Sequence, residues 1–314
     1  MNKRQKIFVV GVIIIVLASA GIAAYNSVPQ KETKIGKLKV VATFYPLAFF
    51  ARQIGGEEVF VKQLIPDNTE VHDWQPSASE ILALDEADVI LYNSQSLENW
   101  FRDDLLPIID SSNKIIIETT EGINLLETQP RAADEHEGPL DPHTWTSPFL
   151  AKQQAQKIYE ALVQKDPIQS DYYTERWQTL EARLEQLDNN YMSELSNKKK
   201  EEIFVAHSAF GYLAKRYRFD QHGVIGISAD EQPSPSVYAD LVELMTENEI
   251  YTVYVDPIYP EEYARTLKND LESRTGQNVQ ILKLYLMLGP IDRLDYFGQQ
   301  EKNLENLKIG LEVS

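Results

Sequence analysis

From Leu38 onward, two kinds of apolar spacing alternate along the chain. Runs such as LKVVAT (38–43), EEVFVKQLI (57–65), DVILYN (88–93) and NKIIIET (113–119) are short, rich in β-branched residues and bounded by polar or turn residues. That is the signature of buried strands. EEIFVAHS, HGVIGIS, IYTVYVD and NVQILKLYLML continue the series in the second half. Between them, apolar residues recur three or four apart, which predicts helices. YPLAFFARQIGG is one, closed by glycine, and SASEILAL is another, with Ser77 and Glu80 at capping-box spacing. LENWFRDDLLPII, FLAKQQAQKIYEALVQ, AFGYLAKRYR, PSVYADLVELMTENE and PEEYARTLKNDLESRTG follow, with a last polar helix around 292–308.

The segment 170–195 breaks this rhythm. It holds no glycine or proline and keeps helical spacing throughout, which predicts a single helix of ~39 Å. Alternating strands and helices imply parallel sheets with helices on both faces. Two such blocks around one long helix predict an α/β protein of two similar lobes facing a cleft. The expected boundaries are 38–167 for the first lobe, 168–199 for the rigid linking helix and 200–314 for the second lobe. A length of 314 residues agrees with two domains of ~150 each.

The N-terminus adds a compartment. Lys3, Arg4 and Lys6 precede a run without charge from Ile7 to Tyr25, close to the ~20 residues of a membrane-crossing helix. The basic flank keeps the start in the cytoplasm and exports the rest. Ala18-Ser19-Ala20 resembles a signal-peptidase site, but the apolar run continues past it, which favours an uncleaved anchor over residues 1–25. Residues 26–37 read as a polar tether. Either reading places the rest of the chain outside the cytoplasm. With 48 acidic against 30 basic residues, the net charge of −18 argues against nucleic acid as a partner. No cysteine is present, so disulfides, thiolate metal sites and lipid-modified cysteine are excluded.

Only five histidines occur: His72, His136, His143, His207 and His222. His72 follows the strand 57–65, His143 follows the strand 114–118, and His207 ends the strand 202–207. Open parallel sheets bind ligands at the carboxyl ends of their strands. Three histidines from both lobes therefore fall on the functional edge. A loop histidine is ordinarily a solvated polar residue, and His207 after IFVA could be a hydrogen-bonded core residue; three on one edge make coincidence a weak explanation.

The stretches EVHDWQPSASEI, DPHTWTSP and VAHSAFGYLAKRY resemble the three histidine signatures of the zinc/manganese family of ABC-transporter substrate-binding proteins. GISADEQPSPSVYADLVEL resembles a fourth family segment, and the likeness runs in order from about 38 to 310. The resemblance implies two α/β lobes joined by a backbone helix, with His72 and His143 of the first lobe and His207 of the second holding a metal between them. In the family the third position is often histidine in zinc-type members and glutamate in manganese-type ones. The chemistry of the donors agrees: imidazole suits Zn²⁺, whereas Mn²⁺ favours oxygen. Zn²⁺ is the expected ion and Mn²⁺ the second choice. Affinity is expected to fall as pH drops through the histidine range near ~6.5.

One motif departs. Where the family carries Leu-Asp-Pro-Leu-Gly, with aspartate as fourth ligand, this chain reads ILKLYLMLGP, and Tyr285 is the nearest match. A phenol with pKa ~10 is a poor zinc ligand near neutrality. Water, a substituting carboxylate (Glu70, Asp73, Glu231 or Asp256) or a weakened site remain open. Asp256 also reads as a capping or orienting residue. Asp141 and Asp73 read as partners that orient the imidazoles, and Trp145 and Trp74 as packing. His136, in the short acidic DEHE, stands where zinc-type relatives carry a His-rich loop, and reads as solvated; His222 reads as structural.

The expected function is an extracytoplasmic receptor, not an enzyme, that captures Zn²⁺ and delivers it to the permease of an ABC importer. The expected protein is a monomer held at the membrane by its N-terminal anchor. The alternative is an adhesion or interaction protein on the same fold with a degenerate or structural metal site. A zinc hydrolase is a weaker third reading, because no HExxH helix is present.

Overall fold

Strand β1 (Leu38–Ala42) is buried at every position except Lys39, as a central parallel strand must be. It pairs with β2 (Val59–Gln63) on one side and β3 (Val89–Tyr92) on the other, and β4 (Ile115–Glu118) adds to β3. The resulting order is β2-β1-β3-β4, all parallel. The second half repeats it. β5 (Glu202–His207), β6 (Asp220–Ile225), β7 (Thr252–Val255) and β8 (Gln280–Lys283) stand in the order β6-β5-β7-β8, again all parallel. Eight α-helices flank these sheets among the described residues: α1 (Tyr45–Gly55), α2 (Ala78–Glu86), α3 (Pro148–Lys165), α4 (Ser170–Glu194), α5 (Gly211–Tyr217), α6 (Pro235–Glu247), α7 (Glu262–Thr275) and α8 (Tyr296–Gly310). The two-sheet α/β architecture is the one expected.

The computed structural model describes residues 36–72, 74–127, 140–226 and 233–314, and Lys37–Ser314 form one compact unit. The expected anchor at 1–25, most of the tether, Asp73, His136 and Glu231 lie outside the described residues. Among the described residues no helix is long and apolar enough to cross a membrane.

Local chemistry sets the helix ends. Gly56 takes φ 50° after α1, a backbone conformation that disfavours a side chain. The Glu80 carboxylate accepts the Ser77 N–H at 2.7 Å at the start of α2. Helix α4 buries Tyr173, Trp177, Leu180, Leu184, Leu187 and Tyr191, a stripe at three- and four-residue spacing. It is tied to both halves: Arg176 donates to the Gln53 carbonyl at 2.8 Å, and Arg216 pairs in fork fashion with Asp188 at 3.0 and 2.6 Å.

Three elements differ from the expected pattern. LENWFRDDLLPII forms only a π-helical turn, Trp100–Leu105, in which the Leu106 N–H reaches the Phe101 carbonyl. Pro107, lacking an N–H, gives the turn no α-helical continuation. The final strand stops at Lys283: Leu284 still donates to the Val255 carbonyl of β7 at 2.9 Å, but the next amides leave the ladder, Tyr285 for the Asn303 side chain at 2.7 Å and Leu286 for the Asp256 carboxylate. Helix α8 begins at Tyr296 and is polar yet inward-facing. Its buried Gln299, Gln300, Asn303 and Asn306 donate to the carbonyls of Gly289, Thr146, Tyr285 and Lys283.

Residues 284–290 thus form a seam against the first lobe. Asn68 donates its backbone N–H to Leu288 at 2.9 Å and its side-chain amide to Pro290 at 3.0 Å. Gly289 sits so close that a Cβ there would lie 2.8 Å from the Asn68 nitrogen and 2.7 Å from Asp67 Cβ. A backbone atom cannot yield as a side chain does. Gly289→Ala is expected to cost about 1–3 kcal/mol, read as a lower denaturant midpoint at unchanged slope; an unaltered midpoint would mean the seam is looser than described.

Candidate metal centre

His72 lies in the loop leaving β2, His143 in the segment after β4, and His207 is the last residue of β5. Each therefore stands at a carboxyl end of a parallel strand, and the two sheets present these ends to a common site. Nearby carboxylates and amides fix His143. Asp141 Oδ1 accepts both its backbone N–H and its Nδ1–H at 2.9 Å, which leaves Nε2 bare and facing inward. Asn93 donates to the Pro142 carbonyl at 2.8 Å, and Gln154 donates to the Asn93 side-chain oxygen at 2.8 Å. Behind Asn93, the fully buried Glu98 accepts from the Asn93 and Ser94 amides and from the Thr43 hydroxyl at 2.6 Å. Burial nevertheless pushes the Glu98 carboxyl up to about 7, against those bonds.

His72 Nε2 lies 3.4 Å from His143 Nε2, and the ligand atoms of His72, His143 and His207 lie within 4.8 Å of one another. Two nitrogens bound tetrahedrally to one zinc ion at ~2.0–2.1 Å stand about 3.3 Å apart. The first pair already has that spacing; the widest pair needs to close by about 1.5 Å. His143 and His207 are buried at 1% and 3% exposure, whereas His72 is half-buried. Among the described residues, this is the one group of three or more His, Cys, Asp or Glu placed to hold a metal ion.

Among the described residues, the acidic and phenolic candidates Tyr285, Asp256 and Glu70 are engaged elsewhere. The Tyr285 hydroxyl donates to Asp292 at 2.8 Å, and burial together with that carboxylate raises its pKa above the ordinary phenol range. Asp256 spends both oxygens on backbone amides, those of Ile258 and Leu286. Burial raises it to about 7 despite these bonds. Glu70 accepts the amides of Val71 and His72 at 2.9 and 3.0 Å on one oxygen, and the Tyr259 hydroxyl on the other. His222 stacks on Phe204, with Glu202 3.6 Å away, at a distance from the carboxyl edge. Trp74 packs edge-on against Trp100. Trp145 does more than pack: fully buried, its indole N–H donates to the Leu286 carbonyl at 2.7 Å.

Sequence reasoning missed Tyr259, whose ring stands edge-on to His207 with centroids 5.2 Å apart. The signal was its position in DPIYP, a loop at the carboxyl edge of β7. It also missed the Asn93–Glu98–Gln154 network, for which the one clue was a polar Asn-Ser pair directly after the apolar VILY.

Burial, followed by repulsion from His143 and His207, holds the His72 pKa well below 6.5. In the unfolded chain His72 takes up its proton near ~6.5. Between the two values the unfolded chain binds the extra proton, so acid drains native stability there. Lowering the pH from about 7 to about 5.5 is expected to depress the Tm of the metal-free protein more than that of His72→Gln, by calorimetry; equal losses would contradict it.

Comparison with known proteins agrees with this arrangement. The family model described as zinc-uptake complex component A, periplasmic (ZnuA), matches residues 40–310. The high-affinity zinc uptake system protein ZnuA of Bacillus subtilis is 30% identical over 99% of both chains. The zinc-binding lipoprotein AdcA of Streptococcus pneumoniae is 30% identical over 89% of this chain, which spans 56% of that longer protein. Among solved structures, the laminin-binding protein Lmb of Streptococcus agalactiae, described as bifunctional with adhesin and metal-transporting activity, superposes with TM-score 0.76. It is 27% identical and covers 87% of this chain and 99% of its own. The match spans both sheets and all three histidines, so the chain belongs to the ZnuA family of zinc-uptake complex components, a family of solute-binding receptors rather than enzymes.

Proposed function

We propose that this protein is an extracytoplasmic receptor that captures Zn²⁺ on His72, His143 and His207 and hands it to the permease of an ABC importer. The observation that carries the reading is the convergence of three imidazoles, from two separate sheets, within 4.8 Å. Nitrogen donors favour Zn²⁺ over Mn²⁺. Asp141 supports His143 as a ligand by holding its second nitrogen, the arrangement that fixes tautomer and orientation in zinc sites. Among the described residues Tyr285, Asp256 and Glu70 are each committed to other partners, and water is the proposed fourth ligand. The run Ile7–Tyr25 supports tethering at the membrane, with residues 38–167 and 200–314 as the two lobes.

Calorimetric titration of the protein with Zn²⁺ and Mn²⁺ tests this. Micromolar or tighter Zn²⁺ binding at a 1:1 ratio, with weaker Mn²⁺, is expected; tighter Mn²⁺ would defeat the choice of ion. The likeness to Lmb favours one second reading, adhesion to laminin. Binding to immobilised laminin that is undiminished in a His143→Ala/His207→Ala variant would support adhesion independent of the metal.

A further inference from the structure

Among hydrogen bonds between described residues, a single one joins a side chain of the first lobe to a side chain of the second: the Tyr259 hydroxyl donates to Glu70 Oε2. Other bonds across the cleft, such as Trp145 to Leu286 and Tyr296 to Trp145, have backbone at one end. The other oxygen of Glu70 accepts the amides of Val71 and His72 at 2.9 and 3.0 Å. One carboxylate thus grips the backbone that carries His72 and is itself gripped from across the cleft. The residue gripping it abuts His207, with ring centroids 5.2 Å apart at 74°.

His72 is the least buried of the three histidines and, like His143, lies outside the strands. Its position depends on what pins its loop. We propose that Tyr259 is a positioning residue: by holding Glu70 it fixes the His72 loop against the second lobe and sets the rate at which the cation leaves. This rests on the metal-site reading above. It also distinguishes two roles for Glu70. If the carboxylate pins the loop, freeing it from Tyr259 loosens the site. If instead it serves as the fourth ligand, Tyr259 competes with the metal for it, and freeing it tightens the site.

Tyr259→Phe in the whole 314-residue chain keeps the ring beside His207 and removes only the hydroxyl. Two quantities are measured: Zn²⁺ release to a chelator in a stopped-flow instrument, and amide hydrogen exchange at Val71 and His72 without metal. Release is expected to be about tenfold faster, the weight of one charge-assisted hydrogen bond, with the association rate changed much less. Exchange at the two amides is expected to quicken by a similar factor. Combining Tyr259→Phe with Glu70→Ala should release Zn²⁺ no faster than Glu70→Ala alone, because that change already removes the carboxylate that Tyr259 holds. Unchanged release would overturn the proposal. Slower release would also overturn it, by marking Glu70 as a ligand that Tyr259 restrains. Should the wild type hold no Zn²⁺, the metal reading fails by itself and exchange decides alone: faster exchange supports the pinning of the loop, and unchanged exchange overturns it.

Discussion

His143→Ala is expected to lower Zn²⁺ affinity on the order of 1000-fold or more, measured by competition against a chelator of known affinity. Loss of a partner that merely orients a ligand costs about 10–100-fold, and His143 would be the ligand itself. It is the best-prepared of the three, nearly inaccessible and already holding its Nδ1–H on Asp141. Asp141→Asn is expected to fall in the 10–100-fold range, because the amide can present its nitrogen to the ring and select the wrong tautomer. Both variants should fold. The Asp141 carboxylate keeps its bond from the His143 backbone, so the alanine variant loses about 1–3 kcal/mol of metal-free stability at most. Equal affinity in His143→Ala and wild type would place the ion elsewhere.

Trp145→Ala is expected to be the most damaging single substitution to metal-free stability among those considered. The indole is fully buried, meets Phe44 edge-on at 4.7 Å and donates to the Leu286 carbonyl. Its own carbonyl accepts the Tyr296 hydroxyl at 2.8 Å. Truncation opens a large cavity, at about 3–5 kcal/mol, and strands a buried carbonyl, at about 1–3 kcal/mol more. Denaturant unfolding should show a loss of at least about 4 kcal/mol. Trp145→Phe, which keeps most of the volume but not the N–H, should lose roughly half as much. A near-wild-type midpoint for the alanine variant would mean the two lobes are not held together through this turn.

These two residues show why parts of the molecule were legible in the sequence and others were not. Parallel strands buried on both faces write themselves as apolar runs, and VILY and IFVA were read correctly because burial alone decides them. The histidines were legible for a related reason. Strand direction fixes which end of each run faces the cleft, so a histidine just past a run is placed by topology. The errors fall where polar groups satisfy one another over long sequence distances. KLYLML looked like a strand, but Asn303 and Asp256 take its amides in place of a neighbouring strand. The last helix reads only as polar, and the pattern does not show that its Gln300 and Asn303 serve buried carbonyls. Glu70 and Tyr259 are 189 residues apart, and no local pattern announces such a pair. Trp145 read as packing because a donor's acceptor 141 residues away cannot be seen from DPHTW alone.

Zinc K-edge X-ray absorption on the zinc-loaded protein tests the shared histidine site most directly. The expected first shell contains three imidazole nitrogens at ~2.0–2.1 Å plus one oxygen, with the outer-shell scattering typical of histidine rings, and one imidazole fewer in His72→Ala. A shell made of oxygen alone, or one identical in wild type and in the His72→Ala/His143→Ala/His207→Ala variant, would contradict it.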